Sequence, residues 1–193
     1  MPDVQLVEEF FDKESYNEIL SYLNNYLKYT PSAWDDTFVR NYYHNLPFFV
    51  DIHHQLQEVA SFYFKEKVKP SYSFLSLYKP GGTCPLHIDR DQCRYTIDYL
   101  IQTDEVDSWE ISISDVITDK ERAERLLNNS CVPSDEDAQN ILQRNFTSVS
   151  LVPNSAVLYS GTHQWHYRPK KLTSTSDLVF FHFVPEDFNR ELD

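Results

Sequence analysis

The sequence predicts an α+β protein whose strands form a sheet sandwich or jelly roll. Three observations carry that expectation. Helical periodicity is concentrated before residue 68, and short alternating segments separated by turn residues dominate from residue 71 onward. The chain is also rich in Tyr (13) and Phe (13) but holds only 3 Gly, which suits packed sheets better than a glycine-rich nucleotide-binding design. At 193 residues and 41% hydrophobic content it fits one domain, 1–193, with a sizeable core.

Residues 4–11 read as an opening strand or lead-in. Asp12 or Ser15 can cap a helix running to about Tyr29, with Tyr16, Ile19, Leu20, Leu23 and Leu27 at helical spacing. A second helix is expected over about 46–67, its stripe including Phe49, Ile52, Leu56, Val59, Ala60 and Tyr63. These form a helical support, about 12–67. A sheet core follows over about 71–184. Residues 71–78 alternate as a strand, 79–82 turn, and strands follow at 94–102, 109–114, 147–152, 155–160 and 177–184. Polar helical segments at 118–128 and 134–144 mark about 116–146 as an insertion and a candidate lid.

Lys and Arg number 17 against 30 Asp and Glu, for a formal charge of −13. That field opposes phosphate backbones, so neither nucleic acid nor an anionic membrane is expected as a partner. No run approaches the roughly 20 apolar residues needed to span a bilayer. The acidic start, without an apolar signal segment, and three cysteines (Cys84, Cys93, Cys131) that cannot all pair favour a reducing cytoplasm.

The chemistry concentrates in Pro85-Leu86-His87-Ile88-Asp89. Side chains at i and i+2 of a strand share a face, so His87 and Asp89 can reach one metal ion. Two histidines, one carboxylate and open positions make the facial triad of non-haem Fe(II) oxygenases. The second histidine comes from Gly161-Thr-His163-Gln-Trp165-His166-Tyr-Arg168-Pro169. His163 and His166 have opposite parity if the segment is extended, so they are not expected to bind the same ion.

An ordered set of motifs now resembles the Fe(II)- and 2-oxoglutarate-dependent dioxygenases, prolyl-hydroxylase-like branch. Tyr78-Lys-Pro-Gly81, His87-Ile-Asp89, Arg94-Tyr-Thr96-Ile-Asp-Tyr99-Leu100, Val152-Pro153 to Gly161 and Leu178-Val-Phe-Phe-His-Phe183 follow in the family's order, over about 74–183. The resemblance implies a double-stranded β-helix (jelly-roll, cupin-like) core with N-terminal supporting helices. It implies the cofactors Fe(II), 2-oxoglutarate and O2, with oxidative decarboxylation to succinate and CO2. The presence of Asp89 points to hydroxylation rather than halogenation. The Trp165-His166-Tyr-Arg168-Pro169 context selects His166 as distal ligand, leaving His163 as a loop or supporting residue.

The family holds the far carboxylate of 2-oxoglutarate with a base downstream of the distal histidine, and residues 174–177 carry none. A guanidinium fits a carboxylate best. Arg168 is the first candidate and Arg94 the second, ahead of Lys170 and Lys171, with Tyr78 and Tyr99 as phenolic donors. Arg90, Trp165 and His163 are candidate substrate contacts. His182 reads as a core or cavity-lining residue, Trp109 as pocket or core, and Trp34 as part of a covering loop. His44, His53 and His54 fall outside the motif region. The expected activity is hydroxylation of a C–H bond in a small molecule such as an amino acid or metabolite. The alternatives are a peptide or protein hydroxylase, an iron enzyme that does not use 2-oxoglutarate, and a metal-binding cupin-like sensor.

Overall fold

The computed structural model describes residues 4–106, 108–127 and 131–192. Helix α1 (Lys13–Asn25) starts where the Asp12 carboxylate accepts from Ser15 N, the expected cap, and a 3-10 turn covers Leu27–Tyr29. The expected second helix is two, α2 (Pro47–Gln55) and α3 (Gln57–Phe64), broken at Leu56 and closed by left-handed Lys65. Helices α4 (Asp119–Leu127) and α5 (Asp135–Ile141) occupy the insertion. Residue 128 of the expected helix lies outside the described residues. Among the described residues no helix is long and apolar enough to cross a membrane.

The strands form two antiparallel sheets. The larger runs in the order β1 (Gln5–Val7), β9 (Ser155–Tyr159), β6 (Tyr95–Thr103), β11 (Ser176–Pro185), β4 (Val68–Tyr78), β3 (Arg40–His44), β2 (Ala33–Asp35). The smaller runs β5 (Cys84–His87), β10 (His166–Arg168), β7 (Ile111–Ser114), β8 (Phe146–Val149).

Period-two alternation splits the larger sheet into two faces. Tyr95, Ile97, Tyr99 and Ile101 of β6, with Val179, Phe181 and Phe183 of β11, pack with Ile19, Phe49, Ala60 and Phe64 of the helices. The opposite face sends Leu100, Val157, Tyr159 and Leu178 against Trp109, Ile111, Ile113 and Val149 of the smaller sheet and its approach. At one end this second interface opens into a cavity of about 400 Å³.

The helical support, about 12–67, was expected as two helices with a loop around Trp34 between them. Instead β2 and β3 interrupt it and extend the larger sheet, with Arg40 opposite Tyr78 and Tyr42 opposite Ser76. The chain turns into β3 through Val39, whose φ of 56° is costly for a β-branched residue. The insertion packs beside the sheets, burying Ile117 and Ile141 against Ile88 and Trp165. It borders the cavity through Cys131.

Candidate metal centre

Strand β10 lies between β5 and β7, and its register sets His166 directly opposite His87. Cross-strand partners on one face bring their side chains within contact, and the two imidazole centroids lie 4.2 Å apart. Asp89, just past the end of β5, is tied down by its own N–H, which donates to Gly161 O at 2.8 Å. A Cβ on Gly161 would collide with Asp89 Oδ2 and with the carbonyl of Cys93. Only glycine leaves the carboxylate this room.

Both imidazoles are oriented from behind. His87 Nδ1 sits 2.7 Å from Pro85 O and His166 Nδ1 2.9 Å from Gln164 O. A carbonyl can only accept, so each Nδ1 carries the proton and each Nε2 offers a lone pair. The two Nε2 atoms stand 3.6 and 3.7 Å from Asp89 Oδ1. That is too long for a hydrogen bond. It is short enough for one ion, with bonds of about 2.1 Å, to reach all three atoms. Burial, then the proximity of His87, depresses His166 to about 4, leaving a neutral donor. Burial works against ionisation of Asp89, but His166 and His87 more than offset it and hold the carboxyl well below its usual range. Two neutral imidazoles and a carboxylate fit Fe(II) and comparable divalent ions.

The cavity wall is mostly aromatic: Phe38, Tyr72, Phe74, Tyr78, Tyr159 and Phe180. Its cations are Arg40, Arg90 and Arg168. Arg168 is buried; Nη2 donates to Asp98 Oδ2 at 2.9 Å and Nη1 donates to Trp109 O. Asp98 is fully buried and its Oδ1 has no partner. Burial raises its carboxyl to about 6 even with Arg168 pulling it down. Arg40 spans the wall from β3. Nη1 donates to Ser76 Oγ (3.0 Å) and Tyr78 OH (3.1 Å), Nη2 to Asp35 Oδ2 (3.1 Å). Its guanidinium lies 4.2 Å from the Phe38 ring centre and 4.8 Å from that of Phe74.

The cavity thus gathers His87, Asp89, His166, Arg168, Tyr78 and Arg90, together with His182. Four expected site residues lie elsewhere. Tyr99 has the wrong parity on β6: it faces Phe10 and Phe11 and donates to Asn154 Oδ1 at 2.9 Å. Arg94 precedes β6 and turns its Nη1 to the ring of His163, 2.6 Å from Nε2. His163 is itself fully buried, its Nε2 2.9 Å from Asp119 Oδ1. Trp165 packs on Ile88, Ile117 and Ile141, and Trp109 is core with its indole N–H donating to Lys170 O at 2.7 Å. Arg40 went unread because the sequence around it carries helix signals on both sides. The one hint was the β-prone Arg40-Asn-Tyr-Tyr-His44.

No protein-family description matches the chain, and no curated protein is similar to it in sequence. Solved structures resemble it in fold. EctD from S. alaskensis, crystallised with 2-oxoglutarate and 5-hydroxyectoine, superposes with a TM-score of 0.68 at 14% identity, over 98% of this chain and 74% of that one. A prolyl-4-hydroxylase from Pseudomonas putida gives 0.65 at 10% identity, over 96% and 94%. SnoK, a non-heme α-ketoglutarate-dependent carbocyclase of nogalamycin biosynthesis, gives 0.71 at 10% identity, over 96% and 81%. The chain has the fold of the 2-oxoglutarate-dependent oxygenases. That fold is what places a strand-end histidine, its carboxylate neighbour and a distant histidine around one cavity here.

Proposed function

We propose that this chain is an Fe(II)- and 2-oxoglutarate-dependent oxygenase that hydroxylates a C–H bond of a small molecule, and that its two sheets are those of a double-stranded β-helix. The observation that carries the reading is the convergence of His87 Nε2 and His166 Nε2 on Asp89 Oδ1, inside a cavity that also holds two buried or half-buried guanidinium groups.

His87, Asp89 and His166 hold the metal. When bound, Fe(II) with 2-oxoglutarate and O2 supplies the oxidation of the substrate, coupled to formation of succinate and CO2. The protein's own residues do the rest. Pro85 O and Gln164 O keep the Nε2 lone pairs aimed at the ion. Arg168 and Tyr78 hold the far carboxylate of 2-oxoglutarate, with Arg40 completing the grip beside Tyr78. Asp98 pairs with Arg168 from the fully buried side and Asp35 pairs with Arg40 from the less buried side, so both guanidinium groups reach the cavity already held in place. Phe38, Phe74 and Phe180 exclude water and offer an apolar bed for substrate, with Arg90 at the exposed rim. EctD, held with 5-hydroxyectoine, supports a small-molecule substrate; the prolyl-4-hydroxylase supports the peptide alternative. Three unpaired cysteines suit a reducing compartment such as the cytoplasm.

The test is anaerobic titration with Fe(II) and then 2-oxoglutarate, following the visible charge-transfer band of the chelate. The band should appear and should vanish in His87→Ala and Asp89→Ala with the fold intact. Metal binding without the band would replace this reading with an oxygenase independent of 2-oxoglutarate, or with a sensor.

A further inference from the structure

Asp89 faces two donor sets. Its Oδ1 points to His87 and His166. Its Oδ2 lies on the other side, near Thr96 Oγ1 at 3.4 Å and against Gly161. Cys93 Sγ, a ring nitrogen of His182 and an oxygen of Asp89 lie within 4.8 Å of one another. Cys93 ends the 3-10 turn Asp91–Cys93 that follows Asp89 and His182 comes from β11, so the two meet only through the fold.

Each donor of this second set is itself oriented. The Tyr72 hydroxyl is 2.9 Å from Cys93 Sγ, and Thr96 Oγ1 is 3.1 Å from His182 Nδ1. Either group can donate while the sulfur is a thiol, and the phenol donates to it once a metal displaces the thiol proton; a hydroxyl likewise fixes the ring and tautomer of a histidine, and such outer contacts accompany ligating Cys and His side chains. Cys93 and His182 are nearly fully buried yet line the same cavity as the first set, so an ion can arrive by the same route. Cys84 and Cys131 also line that cavity, but neither belongs to a donor set of this kind among the described residues.

We propose that Asp89, Cys93 and His182 form a second metal site, selective for thiophilic divalent ions such as Zn(II), Cd(II) or Co(II). Sulfur, nitrogen and oxygen donors are an ordinary zinc-type set, whereas the first set has no sulfur and suits Fe(II). The thiol releases its proton on ligation. The two sites draw on one carboxylate, and two dications there repel, so occupancy of either weakens the other. A thiophilic ion therefore acts as an antagonist of iron loading.

Co(II) titration of the intact protein tests this. The first site gives only weak visible bands; the second adds an intense near-ultraviolet thiolate-to-cobalt charge-transfer band. That band should appear in the wild type, persist in His87→Ala and in Cys84→Ser, and be absent in Cys93→Ala. His182→Gln, checked for native circular dichroism, should weaken the Co(II) responsible for it about tenfold or more, which keeps the test decisive if Cys93→Ala does not fold. No charge-transfer band in the wild type, its survival in Cys93→Ala, or an unchanged affinity in His182→Gln overturns the proposal. Failure of the first site would show differently, as visible bands unchanged in His87→Ala.

Discussion

Arg168 carries two roles that a single substitution confounds. It is buried against Asp98 at 2.9 Å, and it faces the cavity where an anionic ligand would lie. Removing one partner of a buried pair costs about 3–5 kcal/mol, because the other charge is stranded. Arg168→Met should therefore lower stability on that scale. Arg168→Met with Asp98→Leu should recover most of it, since apolar replacement of a whole pair is close to neutral. The cosubstrate effect should not recover. A charge-assisted contact is worth about 1.5–3 kcal/mol, so both variants should bind 2-oxoglutarate about tenfold more weakly or worse. Chemical denaturation and calorimetric titration on the same proteins separate the two roles, and recovery of affinity in the double variant would move the carboxylate to Arg40 alone. The same residues show what the sequence could convey at this scale. That His87, Asp89 and His166 meet at one cavity was legible from the spacing of two in the first motif and from the Trp165-His166-Tyr-Arg168 context of the second, and Tyr78 and Arg168 line the same cavity because they flank those motifs. Tyr99 differs because motif proximity outweighed parity: on β6 it is Thr96, Asp98 and Leu100, not Tyr99, that face away from the helices; Arg94 shares that parity but precedes β6 and turns to His163 instead. Arg40 became visible only once β3 paired with β4.

Strand ends and their junctions set the geometry of the His87, Asp89 and His166 group. The long strands β4, β6 and β11 were readable in sequence as β-prone runs of 9 to 11 residues bounded by turn signals. Strands β2, β3 and β10, of three to five residues, are too short for periodicity to register, and only long-range pairing defines them. The tightest junction joins β9 to the loop before β10, where Gly161 O receives the Asp89 N–H and Gly161 leaves no space for a methyl beside Asp89 Oδ2. Gly161→Ala must push the carboxylate or the Cys93 carbonyl. Overpacking of this kind costs about 1–3 kcal/mol, and the element that yields is the one carrying Asp89. Metal affinity should therefore fall by about tenfold or more while the far ends of the sheets stay intact. Metal titration, with hydrogen exchange of β4 and β11 as the control, checks it; unchanged affinity would mean that the Cys93 loop moves instead. On the other flank, Asp91 is gripped by Arg122 of α4 and by Arg190 near the C-terminus. The insertion is thereby fastened to the loop that carries Asp89, so it behaves as a brace for the metal loop more than as a free lid.

Across the whole molecule, the metal-free protein stores an acid liability. His166 and His182 are depressed to about 4 and His53 to about 3, burial being the first cause in each. In the unfolded chain a histidine takes up its proton near 6.5. Between that value and about 4 the unfolded state binds more protons than the native state, so stability is complete above about 6.5 and is lost as pH falls. A shift of one unit is about 1.4 kcal/mol, which makes each of these histidines worth about 3 kcal/mol or more across the window. Asp98 acts in the opposite sense. Its carboxyl, raised to about 6 from an ordinary 3.8, keeps its proton in the native state where the unfolded chain has lost it, so it favours the native state as pH falls. Burial raises Asp177 in the same sense, but burial also lowers His163 to about 4, so four imidazoles outweigh two carboxyls and the net slope follows the histidines. Urea midpoints measured from pH 7.5 to 4.5 on the metal-free protein should therefore decline steeply below pH 6.5. His53→Phe is the informative variant, because His53 sits among Phe181 and Phe183 behind the larger sheet, where it neighbours His182 but neither His87 nor His166. It should flatten part of that decline without altering metal binding at His87, Asp89 and His166. Saturating Ni(II), a redox-inert occupant of the first site, should delay the decline further by holding His87 and His166 deprotonated. A midpoint independent of pH across this range would mean that the imidazoles are hydrated and protonated in the native state, and the neutral-donor geometry of His166 would have to be abandoned with it.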